Sequence, residues 1–128
     1  QHSKFIVPKI VEHFKQKSPT LQLGNIDVWR DFSDVRWIAE AYTCLLATPT
    51  DGIRRVNLCS GRLIAIEEII SILQEVTGHE INIETDHELM RQADIKRQCG
   101  DNKKLFELLP ELSPPIAFEK TMQWMVES

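Results

Sequence analysis

Three places in this 128-residue chain carry side chains whose type and spacing could do chemistry. The first is Leu23-Gly24-Asn25-Ile26-Asp27-Val28-Trp29-Arg30-Asp31-Phe32-Ser33-Asp34-Val35-Arg36. Gly24-Asn25 predicts a tight turn, because glycine adopts positive φ without penalty and asparagine tolerates it. Arg30 follows beside Asp31, and Ser33 or Asp34 can cap a helix. An arginine held between a turn and a helix start can grip a phosphate through two parallel N–H bonds. An Arg30–Asp31 ion pair is the competing, purely structural reading. The second place is Arg91-Gln92-Ala93-Asp94. Its guanidinium would neutralise phosphate and its carboxylate would accept bonds from hydroxyls or a base edge. Alternatively, Arg91 and Asp94 form a surface ion pair of little energetic value. The third is Cys59-Ser60-Gly61, which lacks the Gly-x-Ser-x-Gly frame of a nucleophile turn, so neither Cys59 nor Ser60 is read as catalytic. Asp86-His87-Glu88 are consecutive and do not converge on one side of a helix or strand, so no metal is assigned.

The elements that must position these residues follow from periodicity. Val7, Ile10, Val11 and Phe14 define a helix entered through Pro8, which suits a first turn. Leu21-Gln22-Leu23 alternates as a short strand. Val35, Ile38, Ala39, Tyr42, Leu45 and Leu46 predict a helix over 34–47 with that stripe facing the core. Arg54 to Gly61 alternates and predicts a strand. Ile66, Ile69, Ile70, Leu73 and Val76 mark a second amphipathic helix closed by Gly78, with Ala65 lacking a capping side chain. Residues 80–85 predict a strand. Asp101 caps a short helix through Leu105, Leu108 and Leu109. Phe118, Met122 and Met125 line a last helix, with Trp124 beside them; this spacing reads as core rather than as a cofactor box.

Composition sets the frame. One domain fits the length, with 42% hydrophobic and 27% charged residues, values ordinary for a soluble globular chain. A formal charge of −4 argues against general nucleic-acid binding. Cys44, Cys59 and Cys99 are odd in number and lack metal-like spacing, which argues against a disulfide framework and fits reduced thiols in the cytoplasm. No apolar run is long enough to span a membrane.

The run L-G-N-x-D-x-x-R-D-F-S-D-V-R (23–36), together with V-N-L-C-S-G (56–61) and R-Q-A-D (91–94), resembles the GDP-sugar-modifying members of the extended short-chain dehydrogenase/reductase (NAD-dependent epimerase/dehydratase) family. The likeness is nearest to the GDP-4-keto-6-deoxy-D-mannose reductases, with the GDP-mannose 4,6-dehydratases next. It extends over most of the chain and places it in the carboxy-terminal, substrate-binding part. It implies a mixed α/β subdomain of four or five helices and a few short strands, without a complete Rossmann sheet. It implies that Arg30, Arg91, Asp94 and Lys9 contact a GDP-sugar. Gln92 stands where relatives carry proline, and Trp37 where they usually carry an acid; that ring would pack on a neighbour or on a missing domain. Trp29 could stack on guanine or pack in the core.

The resemblance also implies what lies elsewhere. Such enzymes bind NADP or NAD on a Gly-rich strand-to-helix turn and protonate through Tyr-x-x-x-Lys. This sequence has no such turn; its only tyrosine is Tyr42, read as core-facing, and Leu46 stands four residues on. An amino-terminal cofactor domain is therefore implied as partner, no cofactor or metal is expected here, and the chain alone should be inactive. Homo-oligomerisation of the parent is left open. A free-standing, non-catalytic module binding a nucleotide sugar or a protein is the rival from another class, and exposed Trp29, Trp37 and Trp124 would favour it.

Overall fold

In the computed structural model, residues 5–49, 51–52, 54–90 and 95–128 are described. They form a mixed α/β unit of five short strands and five α-helices. Helix α1, Ile6–Lys15, buries Ile10, Val11 and Phe14, as its stripe predicts, with Pro8 in the first turn. The chain leaves α1 through Lys17 at φ 52, a left-handed position where glycine is the usual residue. Strand β1, Thr20–Leu23, then pairs in parallel with β4, Asn82–Thr85. Strand β2, Trp29–Asp31, is central in a second sheet, antiparallel to β3, Leu63–Ala65, and parallel to β5, Arg97–Gln98.

Helix α2 spans Val35–Ala47, and Asp34 caps it by accepting from the Arg36 backbone N–H. Helix α3, Ile66–Thr77, follows β3 directly and ends at Gly78 with φ 69, the left-handed conformation expected there. Its Ala65 cap makes no side-chain bond. Helix α4 is Lys103–Leu108. Asn102 holds the cap position, while the Asp101 carboxylate accepts from the Lys103 N–H. Helix α5, Phe118–Glu127, buries Phe118 and Met122.

Two apolar clusters result. The larger joins α1, α3 and α5 to the strands through residues such as Phe14, Leu23, Ile64, Ile69, Leu73 and Met122. The smaller gathers Trp37 and Ala41 of α2 with Leu105, Leu109 and Leu112. This corrects the expected face of α2. Val35, Tyr42 and Leu46 are 63%, 57% and 89% exposed, whereas Trp37 is fully buried. Ile38 and Leu45 are half-buried against the smaller cluster. Two apolar stripes run along this helix, and Trp37 selects the inner one, because its large ring gains most from leaving water. Its indole N–H donates to the Ser113 carbonyl at 2.8 Å.

The strand expected over 54–61 does not form a ladder. The alternation is still meaningful, since Val56 and Leu58 pack on the smaller cluster. Side chains satisfy this backbone instead. Asp31 accepts from the N–H groups of Ser60 and Gly61 at 2.9 and 2.8 Å. Asn102 Nδ2 donates to the carbonyls of Cys59 and Ser60.

Candidate functional site

Arg30 lies on the middle strand β2, between Ile64 of β3 and Gln98 of β5. Its Nη1 donates to the Trp29 carbonyl at 2.7 Å. The neighbouring Asp31 carboxylate is committed to the Ser60–Gly61 turn, accepting from both backbone N–H groups and from the Ser60 hydroxyl. Ser60 is thus part of a turn that Asp31 holds. The thiols of Cys59 and Cys99 are both pushed up, by burial first and by the Asp31 charge second. A raised thiol pKa disfavours the nucleophilic thiolate.

The loop before Arg30 is shaped by close contact. Gly24 does not take the positive φ expected of it. It is needed for another reason: a Cβ there would lie 2.6 Å from the Leu89 carbonyl oxygen and 2.8 Å from its carbon. Backbone meets backbone, and only glycine leaves room. Asn25 Oδ1 accepts from the Asp27 N–H, making the turn that follows. Lys9 reaches this region from α1, donating to the Gln22 carbonyl at 2.9 Å, two residues before Gly24.

Arg91 and Asp94 lie outside the described residues. Both flanks of that segment are tied to the 23–30 region. On one side Asp86 N–H donates to Leu23 O, and Leu89 packs on Gly24. On the other, the Trp29 N–H donates to Lys96 O at 2.7 Å, Lys96 Nζ pairs with Asp27 at 3.2 Å, and β5 joins β2. The Trp29 ring is already engaged, with the Arg97 guanidinium 4.7 Å from its centroid and Lys96 Nζ at 5.7 Å. The periodicity of the sequence gives no hint of this pairing, because a two-residue strand is too short to show a pattern. Trp124 is likewise covered by the Arg36 guanidinium, at 4.0 Å. With Trp37 buried and both other rings carrying a cation, the three tryptophans do not form an open aromatic platform.

Two strand-to-helix junctions among the described residues, β2–α2 and β3–α3, are acidic. A pyrophosphate wants glycines and free N–H groups at a helix start. The β2–α2 junction presents the Asp34 carboxylate, and α3 opens with Glu67 and Glu68. No group of three or more His, Cys, Asp or Glu side chains among the described residues could hold a metal ion. No helix among them is long and apolar enough to cross a membrane.

No protein-family model matches the chain. Individual relatives do. The chain is 31% identical over 109 residues to a GDP-6-deoxy-D-talose 4-dehydrogenase of Aggregatibacter actinomycetemcomitans, covering 85% of this chain. It is 37% identical over 87 residues to a GDP-6-deoxy-D-mannose reductase of Pseudomonas aeruginosa, covering 68%. It spans 37% and 28% of the lengths of these two curated relatives. Among solved structures, it superposes with a TM-score of 0.87 and 28% identity on RMD from Pseudomonas aeruginosa complexed with NADPH, over 98% of this chain and 42% of that one. These homologues are GDP-sugar dehydrogenase and reductase enzymes, and the matches are consistent with the C-terminal part of an extended short-chain dehydrogenase/reductase.

Proposed function

We propose that this chain is the GDP-sugar-binding portion of an NAD(P)-dependent nucleotide-sugar oxidoreductase, nearest in kind to the GDP-4-keto-6-deoxy-D-mannose reductases. The observation that carries this reading is the 109-residue match to an enzyme named for a GDP-6-deoxy sugar. The second relative is named as a reductase of the same sugar class, and the RMD structure holds NADPH. These names favour a reductase or dehydrogenase over a 4,6-dehydratase.

In this reading residues 1–128 are a single substrate-binding domain. Arg30 and Arg91 neutralise the diphosphate or grip the ribose. Asp94 accepts bonds from nucleotide hydroxyls or the base, and Lys9 adds positive charge at the end of β1. The sugar ring is then positioned by contacts to a remote, unreacting handle, which is how binding energy is turned to catalysis. The nicotinamide supplies hydride and belongs to the parent's other domain. The solvent-facing Val35, Tyr42 and Leu46 support such a covering partner. The three free cysteines suit a reducing, cytoplasmic setting.

The test is calorimetric titration of the chain with GDP. Arg30→Ala and Arg91→Ala should each weaken binding by about 1–3 kcal/mol, the scale of charge-assisted bonds. Unchanged affinity in both variants would overturn the site. NADPH should not be consumed by this chain alone in the presence of a GDP-4-keto-6-deoxy sugar.

A further inference from the structure

Trp29 joins the Arg30 strand to β5 and the residue before it by main chain and side chain together. Its N–H donates to the Lys96 carbonyl, its carbonyl accepts from Arg30 Nη1, and its ring lies under the Arg97 guanidinium. The two hydrogen bonds are both 2.7 Å long. Successive strand side chains point to opposite faces. Trp29 therefore shares a face with its register partners Arg97 and Ala65, while Arg30 shares the other with Ile64 and Gln98. A ligand gripped by Arg30 does not meet the Trp29 ring, so stacking on the base is not what this tryptophan offers.

The β2–β5 ladder is only two residues long. So short a pairing is weak by itself. Lys96 adds an ion pair to Asp27, but between groups that are largely exposed. The Trp29–Arg97 contact supplies what the ladder lacks: a broad ring held by a planar cation directly across the register. The Trp29 carbonyl is one of the groups holding Arg30, so whatever fixes the Trp29 peptide also fixes where that guanidinium starts.

We infer that Trp29 and Arg97 are positioning residues for Arg30, acting through the Trp29 peptide and not by touching the ligand. This rests on the reading of Arg30 as a diphosphate-binding residue. It assigns a role to an aromatic–cation pair in which neither member carries the nucleotide contact. It also predicts selectivity in what is lost: the phosphate end of the ligand should suffer, and the base should not.

GDP and guanosine are titrated against the full chain and against Arg97→Gln, Trp29→Leu and Trp29→Phe. Hydrogen exchange of the Arg30 side-chain Nε–H is followed by NMR in the same proteins. Arg97→Gln and Trp29→Leu should weaken GDP about two- to fivefold, the range of an exposed cation–ring contact. They should leave guanosine affinity unchanged and speed Arg30 exchange. Trp29→Phe, which keeps a ring under Arg97, should stay near wild type in all three. Unchanged Arg30 exchange in Arg97→Gln and Trp29→Leu would overturn the inference, whatever GDP does. Faster exchange with GDP affinity unaltered would uphold the positioning role and overturn the nucleotide role of Arg30 instead.

Discussion

At the scale of single residues, Asp34 does the most work for its size. Its side chain is fully buried, yet it is charged. It caps α2 through the Arg36 N–H, pairs with the Arg36 guanidinium at 2.7 Å, and accepts from Thr121 Oγ1 of α5 at 2.7 Å. These bonds, led by the one to the Arg36 side chain, outweigh the cost of burial and hold its carboxyl at about 2. A carboxylate whose pKa is depressed by folding gives stability above its unfolded value and loses it as pH falls through the folded one. From 3.8 to about 2 this is worth roughly 2 kcal/mol at neutral pH. Urea unfolding should therefore show stability falling between about pH 4 and pH 2. Asp34→Asn should be about 1–3 kcal/mol less stable at pH 7, with a flatter profile across that window. Equal slopes in the two proteins would remove Asp34 from the acid response. Arg36, half-exposed and stacked on Trp124, is the surface half of this arrangement and contributes mostly through Asp34.

At the scale of elements, the readable features were those enforced by local chemistry. The stripe of α1, Asp34 as a cap and Gly78 as a left-handed stop stand where residue pattern puts them, and so does the stripe of α3 except at its end, where Val76 is exposed and Ile72 is buried. Elements that owe their form to distant partners were illegible. Strand β5 exists because Trp29 and Arg30 lie beside it, and 59–61 is held by Asp31 and Asn102, residues far away in sequence. Gly24 was rightly singled out for the wrong reason, because a pattern shows that a glycine is present but not that Leu89 presses against it. The site follows the same division. Arg30 is a candidate singled out by its motif, whereas the engagement of Trp29 by Arg97 left no local sign. Two substitutions check element-level statements. Lys17 closes α1 at φ 52, so Lys17→Gly should raise stability by about 0.5–1 kcal/mol in thermal unfolding, relieving a left-handed residue at the price of unfolded-chain entropy. Leu46→Lys should change stability by less than about 0.5 kcal/mol, since Leu46 is exposed on the outer stripe of α2. A large loss there would mean that the outer stripe packs after all.

At the scale of the whole molecule, two unequal apolar clusters share one chain. The larger is built on α1, α3 and α5, and the smaller on α2, α4 and the turn after it. A buried bond joins them, from Thr121 Oγ1 of α5 to the Asp34 carboxylate that caps α2. Regions with fewer buried apolar contacts open at lower free energy than the rest. Amides of α2 and α4 should therefore exchange with deuterium at lower protection than those of α1 and α3. Trp37→Ala sharpens the test. Removing a fully buried ring costs about 3–5 kcal/mol, and the cavity lies wholly within the smaller cluster. If the clusters are separable, this variant should lose protection in α2 and α4 while α1 and α3 stay protected, and Arg30, whose strand pairs with β3 and so with Ile64 of the larger cluster, should still bind GDP within a fewfold of wild type. Uniform loss of protection and of GDP binding would show one cooperative unit, with the nucleotide site dependent on both cores.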